Sequence, residues 1–516
     1  MPGFVDSISS FLKNKLYMAT VIIVAVAAYG FEIVHAVVGV DDICINRYFT
    51  EGLGIQIGRW PFFVLSEVGI LGMDMYIPFL VDFVAVLVLI LAGICWCVLL
   101  KRIFSRNNID INIWCYIAFT VFFISYSMIA YVFIYYLHNG VATAHLCIAI
   151  AILLWDDIKY CSSLKIIKRV AILGMVTIAI SFYESFAAVF VLGLCIYWGI
   201  KEFFIKSKFV EYLKEIGLMC MTLGMAILCR SMVCMALAKI WNMPLLMRKA
   251  EFAEEILGKN IKETIENLVF VFKLNYWMYV KNIDKNPVMI LDLAIGIVVV
   301  TALVLAIRRK NAYFLCNVII GIISLFIMSI FSGVAVYERS TQNMALFIGF
   351  AFFLLVNFAI NRKGYFQLLI AVTLLVLEWN NLCTINFLFY SEYKNNEKDI
   401  AIINDIGKRI QRLGGDGKAV AFVGGIPEKE IEFKRISSTE YPTINQKVIR
   451  WGENAFDEGN KELIKFFALN GYQFYEVSEE QLEEAKVIAN MLPEYPLEGC
   501  IQEEGDYIIV KLGEVD

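Results

Sequence analysis

Asp41 and Asp42 stand side by side directly after the first apolar run, in GVDDICINRYFTEGLGIQIGRWPF. Two adjacent carboxylates at a membrane surface can bind a metal, take a proton from a hydroxyl, or cap a helix by accepting its free amide N–H groups. Repulsion between them raises the pKa of one toward the range a general base needs. Gly58-Arg59-Trp60-Pro61 follows shortly afterwards. Arg59 offers a planar fork that matches phosphate oxygens, and Trp60 offers a face for stacking a sugar or anchoring at the interface. Gly58 and Pro61 bracket a turn that holds the two. Tyr337-Glu338-Arg339-Ser340 repeats the kit, an Arg between Tyr and Glu that suits an anionic head group. Tyr183 and Glu184, in Ser181-Phe182-Tyr183-Glu184-Ser185, form a third polar island between apolar runs.

These residues need a scaffold, and the composition says which kind. Of 516 residues 59% are hydrophobic and only 18% charged, and the mean hydropathy is +0.68. That is a polytopic membrane protein. A formal charge of -4 excludes a basic nucleic-acid binder. Residues 388–516 carry 25 acidic and 15 basic side chains, leaving 24 acidic and 30 basic in the rest. The chain reads as a membrane domain over 1–387 with a small acidic domain over 388–516.

A hydrocarbon core of about 30 Å takes roughly 20 apolar residues per helix. Apolar runs place spans near 17–39, 77–100, 111–136, 141–155, 170–182, 186–200, 215–240, 287–307, 313–336, 341–360 and 366–386. The first run is too long for a cleaved signal and is expected to stay as a span. Every second loop is basic: Lys13 and Lys15; Lys101, Arg102 and Arg106; Lys165, Lys168 and Arg169; Lys201, Lys206 and Lys208; Arg308, Arg309 and Lys310; Arg362 and Lys363. By the positive-inside rule the N-terminus is cytoplasmic, and an odd span count puts the C-terminal domain outside. Residues 40–76 and 241–286 are then long outer segments, the second reading as an amphipathic interfacial helix near 248–280. The tail reads as helices near 398–413, 461–469 and 479–491 with strands at 419–424 and 507–512, a small α/β module.

Charges inside a bilayer are costly, so they mark function by default. Glu32, Asp82, Glu184, Asp292, Glu338, Arg339 and Glu378 all fall in the outer halves of their spans or at the outer rim, and Arg230 lies deeper. A one-sided cluster fits a cavity open to the outside better than an alternating-access transporter, whose polar groups gather at the midplane. Snorkelling at span ends accounts for Asp82 and Asp292.

Soluble-enzyme signatures are missing: no P-loop, no dinucleotide fingerprint, no H-E-x-x-H and no G-x-S-x-G. Three histidines, His35, His138 and His145, are too few for a His-based metal site or triad, which leaves the chain without an expected cofactor or metal. The 13 cysteines lack metal spacing and mostly sit in apolar runs as small core residues. Cys383 and Cys500 flank the tail, but nothing else supports pairing them.

The acidic pair in the first outer loop, the Gly-Arg-aromatic turn, the Tyr-Glu island and a long apolar C-terminal half with an outside tail together resemble the Gtr-type integral-membrane glucosyltransferases, within the broader GT-C architecture. The ending LPEYPLEGC over 492–500 followed by DYIIV over 506–510 is similar too. The resemblance implies an all-α polytopic plasma-membrane enzyme of about eleven spans with a small extracytoplasmic α/β domain. It implies transfer of a hexose, glucose by analogy, from a polyprenyl-phosphate carrier to a cell-surface polysaccharide such as O-antigen or a cell-wall polymer. Asp41 or Asp42 would be the general base. Arg59 and Arg339 would hold the donor phosphate, with Trp60, Tyr183, Glu184, Arg230, Tyr337 and Glu338 around donor or acceptor. Rival readings are a polysaccharide polymerase or ligase, whose large basic loop comes late in the chain, and a flippase or transporter, for which no internal repeat is visible.

Overall fold

A computed structural model describes residues 4–35, 37–38, 52–68, 79–134, 138–160, 164–243, 285–327, 340–426 and 459–514. The chain forms two compact units. The first comprises Met1–Val34, Arg47–Phe133 and Leu137–Asn386; the second comprises His35–Asn46, Ile134–Tyr136 and Phe387–Asp516.

The first unit is helical. Its elements are α1 (Phe4–Leu12), α2 (Lys15–Val34), the short α3 (Leu53–Gln56) and α4 (Trp60–Glu67), α5 (Leu80–Arg106), α6 (Ile113–Ile124), α7 (Ser127–Phe133), α8 (His138–Tyr160), α9 (Lys165–Phe182), α10 (Phe186–Phe204), α11 (Phe209–Ile240), α12 (Lys285–Arg309), α13 (Tyr313–Leu325), α14 (Asn343–Ile360) and the first half of α15 (Gly364–Arg412). Every stretch read as a span is represented by a helix. Among the described residues eight helices are long and apolar enough to cross a membrane, or nine if α6 and α7, bent by 44°, make one span. The other two fall short for visible reasons. Helix α9 carries Lys165, Lys168 and Arg169 within its 18 residues, and α13 has 13 residues.

Lipid removes the hydrophobic drive between helices, so close approach and polar links must join them. Gly349 of α14 is one such place: a Cβ there would stand 2.8 Å from the Phe119 carbonyl oxygen of α6. Tyr17 of α2 and Thr120 of α6 share a hydrogen bond at 2.7 Å, and Tyr212 of α11 donates to Asn317 of α13 at 2.9 Å. Helices α5 and α10 are mostly surrounded by protein. Helix α11 exposes Met221, Met225, Leu228 and Met232, the pattern of a helix facing lipid.

The basic loops meet at one end of this unit. Lys101 reaches Ser10 at 3.1 Å. Arg102 pairs with Asp157 at 3.0 Å and Arg106 with the buried Asp156 at 2.5 Å, tying α5 to α8. Lys159 pairs with Glu215 at 2.6 Å, Lys206 donates to the Lys310 carbonyl at 2.9 Å, and Asn311 donates to Glu202 at 2.8 Å. Helix ends expected to share one side of a membrane are thus bonded to one another.

The second unit combines the latter part of α15 with β1 (Ala419–Val423), α16 (Gly459–Leu469), α17 (Glu479–Ala489), β2 (Ile501–Glu504) and β3 (Tyr507–Lys511). The sheet order is β1-β3-β2, with β1 parallel and β2 antiparallel to β3. Alternation decides which helix covers which face. Val420, Phe422, Ile508 and Val510 face Ile403, Ile406 and Ile410 of α15 and Phe466 and Phe467 of α16. Ala421, Val423, Tyr507 and Ile509 face Ala485 and Ala489 of α17. Ser478 and Gln481 close a reciprocal capping box at the start of α17. Strand β2 was not expected: IQEE is short, polar and half-buried on an edge, where pairing rather than patterning makes a strand. Nor was the continuity of α15. The expected break between 386 and 398 is filled by an unbroken helix, because Asn, Glu and Lys there carry no Gly or Pro to stop it. Cys383 and Cys500 are both free thiols. The amphipathic helix expected near 248–280 lies outside the described residues.

Candidate active site

Arg59, Tyr183, Glu184 and Arg230, separate in sequence, converge. Glu184 sits in the tight turn between α9 and α10, and this end of α9 is a helix length away from its basic residues. Its Oε1 accepts from Arg230 Nη2 at 2.6 Å, and its Oε2 lies 3.5 Å from Arg59 Nη2. The Arg59 guanidinium also lies over the Tyr183 ring, 4.6 Å from its centroid, a cation–π contact. Burial pushes the Glu184 carboxyl up, but the Arg59 and Arg230 guanidiniums outweigh it and hold the group below its ordinary range. Two guanidiniums thus face the Glu184 carboxylate.

The turn carrying Arg59 is built for this meeting. Gly58 has φ of +86°, open to glycine at no steric cost. A Cβ at Gly58 would also collide with the Arg230 guanidinium. Arg230 in turn donates through Nε to the Gly58 carbonyl at 3.0 Å and through Nη2 to the Ile57 carbonyl at 3.3 Å. Trp60 begins α4, where Pro61 fits because the first helical turn lacks N–H acceptors. The half-buried Trp60 indole packs with Ile55, Phe63 and Ala238, which seats the turn on α11.

Tyr183 hydroxyl and Ser340 Oγ are 3.2 Å apart. Ser340, the last residue of the Tyr337-Glu338-Arg339-Ser340 motif, is thus in contact with the Tyr183 turn. Tyr337, Glu338 and Arg339 themselves lie outside the described residues, as do Asp41 and Asp42. Gly58, Ile57 and Ser340 as partners were missed by sequence reasoning; a backbone carbonyl leaves no signal in a sequence.

The remaining flagged charges fall into separate groups. His138 Nε2 pairs with Asp82 Oδ1 at 2.9 Å, and the ring stacks on Phe133. Asp82 therefore has a partner within the protein. His145 is buried and contacts Gln342 at 3.4 Å. Glu32 and Glu378 are buried on α2 and α15. Among the described residues no three His, Cys, Asp or Glu side chains gather as a metal site.

Comparison with known proteins gives one family. Residues 30–356, more than half of the chain, match the family described as Glucosyl transferase GtrII. No curated protein and no solved structure matches. The matched region holds the whole cluster of Arg59, Tyr183, Glu184 and Arg230, and the chain belongs to the Glucosyl transferase GtrII family.

Proposed function

We propose that the chain moves a glucosyl group from a polyprenyl-phosphate carrier to a surface polysaccharide on the outer face of the plasma membrane. Family membership supports glucosyl transfer. The observation that carries the donor reading is the arginine turn: Arg59 held over Tyr183, with Arg230 and Glu184 fixing it. A polyprenyl-phosphate sugar is a phosphodiester with one negative charge, and its leaving polyprenyl phosphate gains a second. A guanidinium placed where that charge develops stabilises departure more than binding, which is what speeds a reaction.

The reaction then has three parts. An acceptor hydroxyl oxygen bonds to the anomeric carbon of glucose. The bond from that carbon to the phosphate oxygen breaks, and its electron pair stays on the phosphate. The hydroxyl proton passes to the carboxylate of Asp41 or Asp42. Arg59 holds the phosphate, with Arg339 as a second cation next to it. Tyr183, Glu184 and Arg230 keep Arg59 in place, and Trp60, Tyr337 and Glu338 flank donor and acceptor.

The orientation rests on charge. The basic loops gather at one end of the first unit, which the positive-inside rule puts in the cytoplasm. Eleven crossings then leave residues 388–516 outside, as an extracytoplasmic domain.

The test is release of free polyprenyl phosphate from a radiolabelled polyprenyl-phosphate glucose by the purified full-length protein, with extracted surface glycan as acceptor. Release coupled to labelling of the glycan supports the reading. Labelling of the glycan from a sugar nucleotide but not from the lipid carrier contradicts it.

A further inference from the structure

Helix α6 stops at Ile124 and α7 starts at Ser127, bent from it by 44°. A break within a span frees backbone carbonyls that lipid cannot satisfy. Here side chains do so. Tyr29 of α2 donates to the Ile124 carbonyl at 2.5 Å, and the Asn381 amide of α15 donates to the Ser125 carbonyl. Glu378, one turn before Asn381 on the same face of α15, brings Oε2 to 3.1 Å from Ser125 Oγ. Ser125, Glu378 and Asn381 are 0%, 8% and 1% exposed.

Counting hydrogens exposes a deficit. Ser125 has one hydroxyl hydrogen and two acceptors, the Val121 carbonyl at 2.8 Å and Glu378 Oε2 at 3.1 Å. The nearer carbonyl takes it, the usual bond of a helical serine. Ser125 Oγ then accepts from Asn381 Nδ2 at 3.3 Å and has no hydrogen left for Glu378 Oε2. The other carboxylate oxygen, Glu378 Oε1, and the Asn381 Oδ1 are buried with no hydrogen-bond partner. Among the described residues no Lys, Arg or His pairs with Glu378. An apolar interior does not tolerate an unbalanced carboxylate beside orphaned acceptors.

We propose that Ser125, Glu378 and Asn381 form a site for one sodium ion at this helix break. A carboxylate, an amide carbonyl and a hydroxyl are hard oxygen donors, the kind that hold alkali and alkaline-earth cations. One carboxylate balances one positive charge; a divalent ion would leave a buried net charge. A proton on Glu378 would neutralise it but leave the Asn381 oxygen without a partner. Broken spans are where membrane proteins hold such ions. The ion pins the α6–α7 break to α15 and takes no part in the transfer.

The experiment follows thermal unfolding of the full-length protein in detergent, in sodium chloride against N-methylglucamine chloride at equal ionic strength and pH. Sodium is expected to raise the midpoint saturably by about 3 °C. The rise is expected to vanish in Glu378→Gln, close to isosteric, and in Ser125→Ala should the first variant not fold. A wild-type midpoint indifferent to sodium overturns the site, as does a sodium rise that a folded Glu378→Gln retains. A midpoint that responds only to pH also overturns it, and gives the place of the ion to a proton.

Discussion

Arg230 and Glu184 meet at 2.6 Å, and the same guanidinium holds the carbonyls of Ile57 and Gly58 at 3.3 and 3.0 Å. One side chain of α11 therefore ties the Arg59 turn to the turn between α9 and α10. Arg59 reaches the shared carboxylate at 3.5 Å and also lies over the Tyr183 ring. The two arginines are assigned different parts: Arg230 as the strut, Arg59 as the group proposed to meet the donor phosphate.

This division gives different expectations for two truncations. Arg230→Ala strands Glu184 and two carbonyls, and breaking a partly buried pair from one side costs about 2–4 kcal/mol. Its midpoint of thermal unfolding in detergent should fall clearly below wild type. Arg59→Ala removes a longer contact to Glu184, at 3.5 Å, and should fall less. Equal midpoints for all three proteins would contradict the strut.

Gly58→Ala tests the same joint through the backbone. The left-handed φ of +86° costs an alanine about 1–2 kcal/mol, and its Cβ must also displace the Arg230 guanidinium. Transfer activity should drop together with stability. Wild-type behaviour in both would show that the turn has another geometry.

Orientation is checked by impermeant maleimide on intact cells, with single cysteines added over the native background. Glu483→Cys, at an exposed position of α17, should label from outside. Lys310→Cys, at the basic end, should label only after permeabilisation. The reverse pattern would invert the molecule and move its chemistry to the cytoplasmic face.

For the acidic pair, one of Asp41→Asn and Asp42→Asn should lower the transfer rate by about 10²–10⁴-fold, the range a general base contributes. The other should act weakly. Near-normal rates in both variants would return the pair to a helix cap.

Apolar length was enough to find a helix in each stretch read as a span, because in lipid every backbone group must be bonded within its own segment. The two sheet strands with alternating or fully apolar patterns, β1 and β3, were legible for a similar reason. Strand β2 was not, since edge pairing needs a partner that only the fold supplies. At the site, Glu184 was legible as a charge where charges are costly, and Arg59 from its Gly-Arg-Trp-Pro turn. Their meeting with Arg230 was not, because it depends on how α11 packs beside the α9–α10 turn. Glu378 stood out in the sequence, whereas Ser125 and Asn381 look ordinary until the break in α6 brings a hydroxyl and an amide to it.

The most direct test of the donor site compares kcat/KM of wild type and Arg59→Ala for glucosyl transfer from polyprenyl-phosphate glucose, with unfolding midpoints measured on the same preparations. Loss of a charged donor aimed at the leaving phosphate should lower kcat/KM by about 10²–10³-fold, mostly in kcat, in a protein that remains folded. An Arg59→Ala protein that is folded and transfers glucose at the wild-type rate would contradict the phosphate role of Arg59.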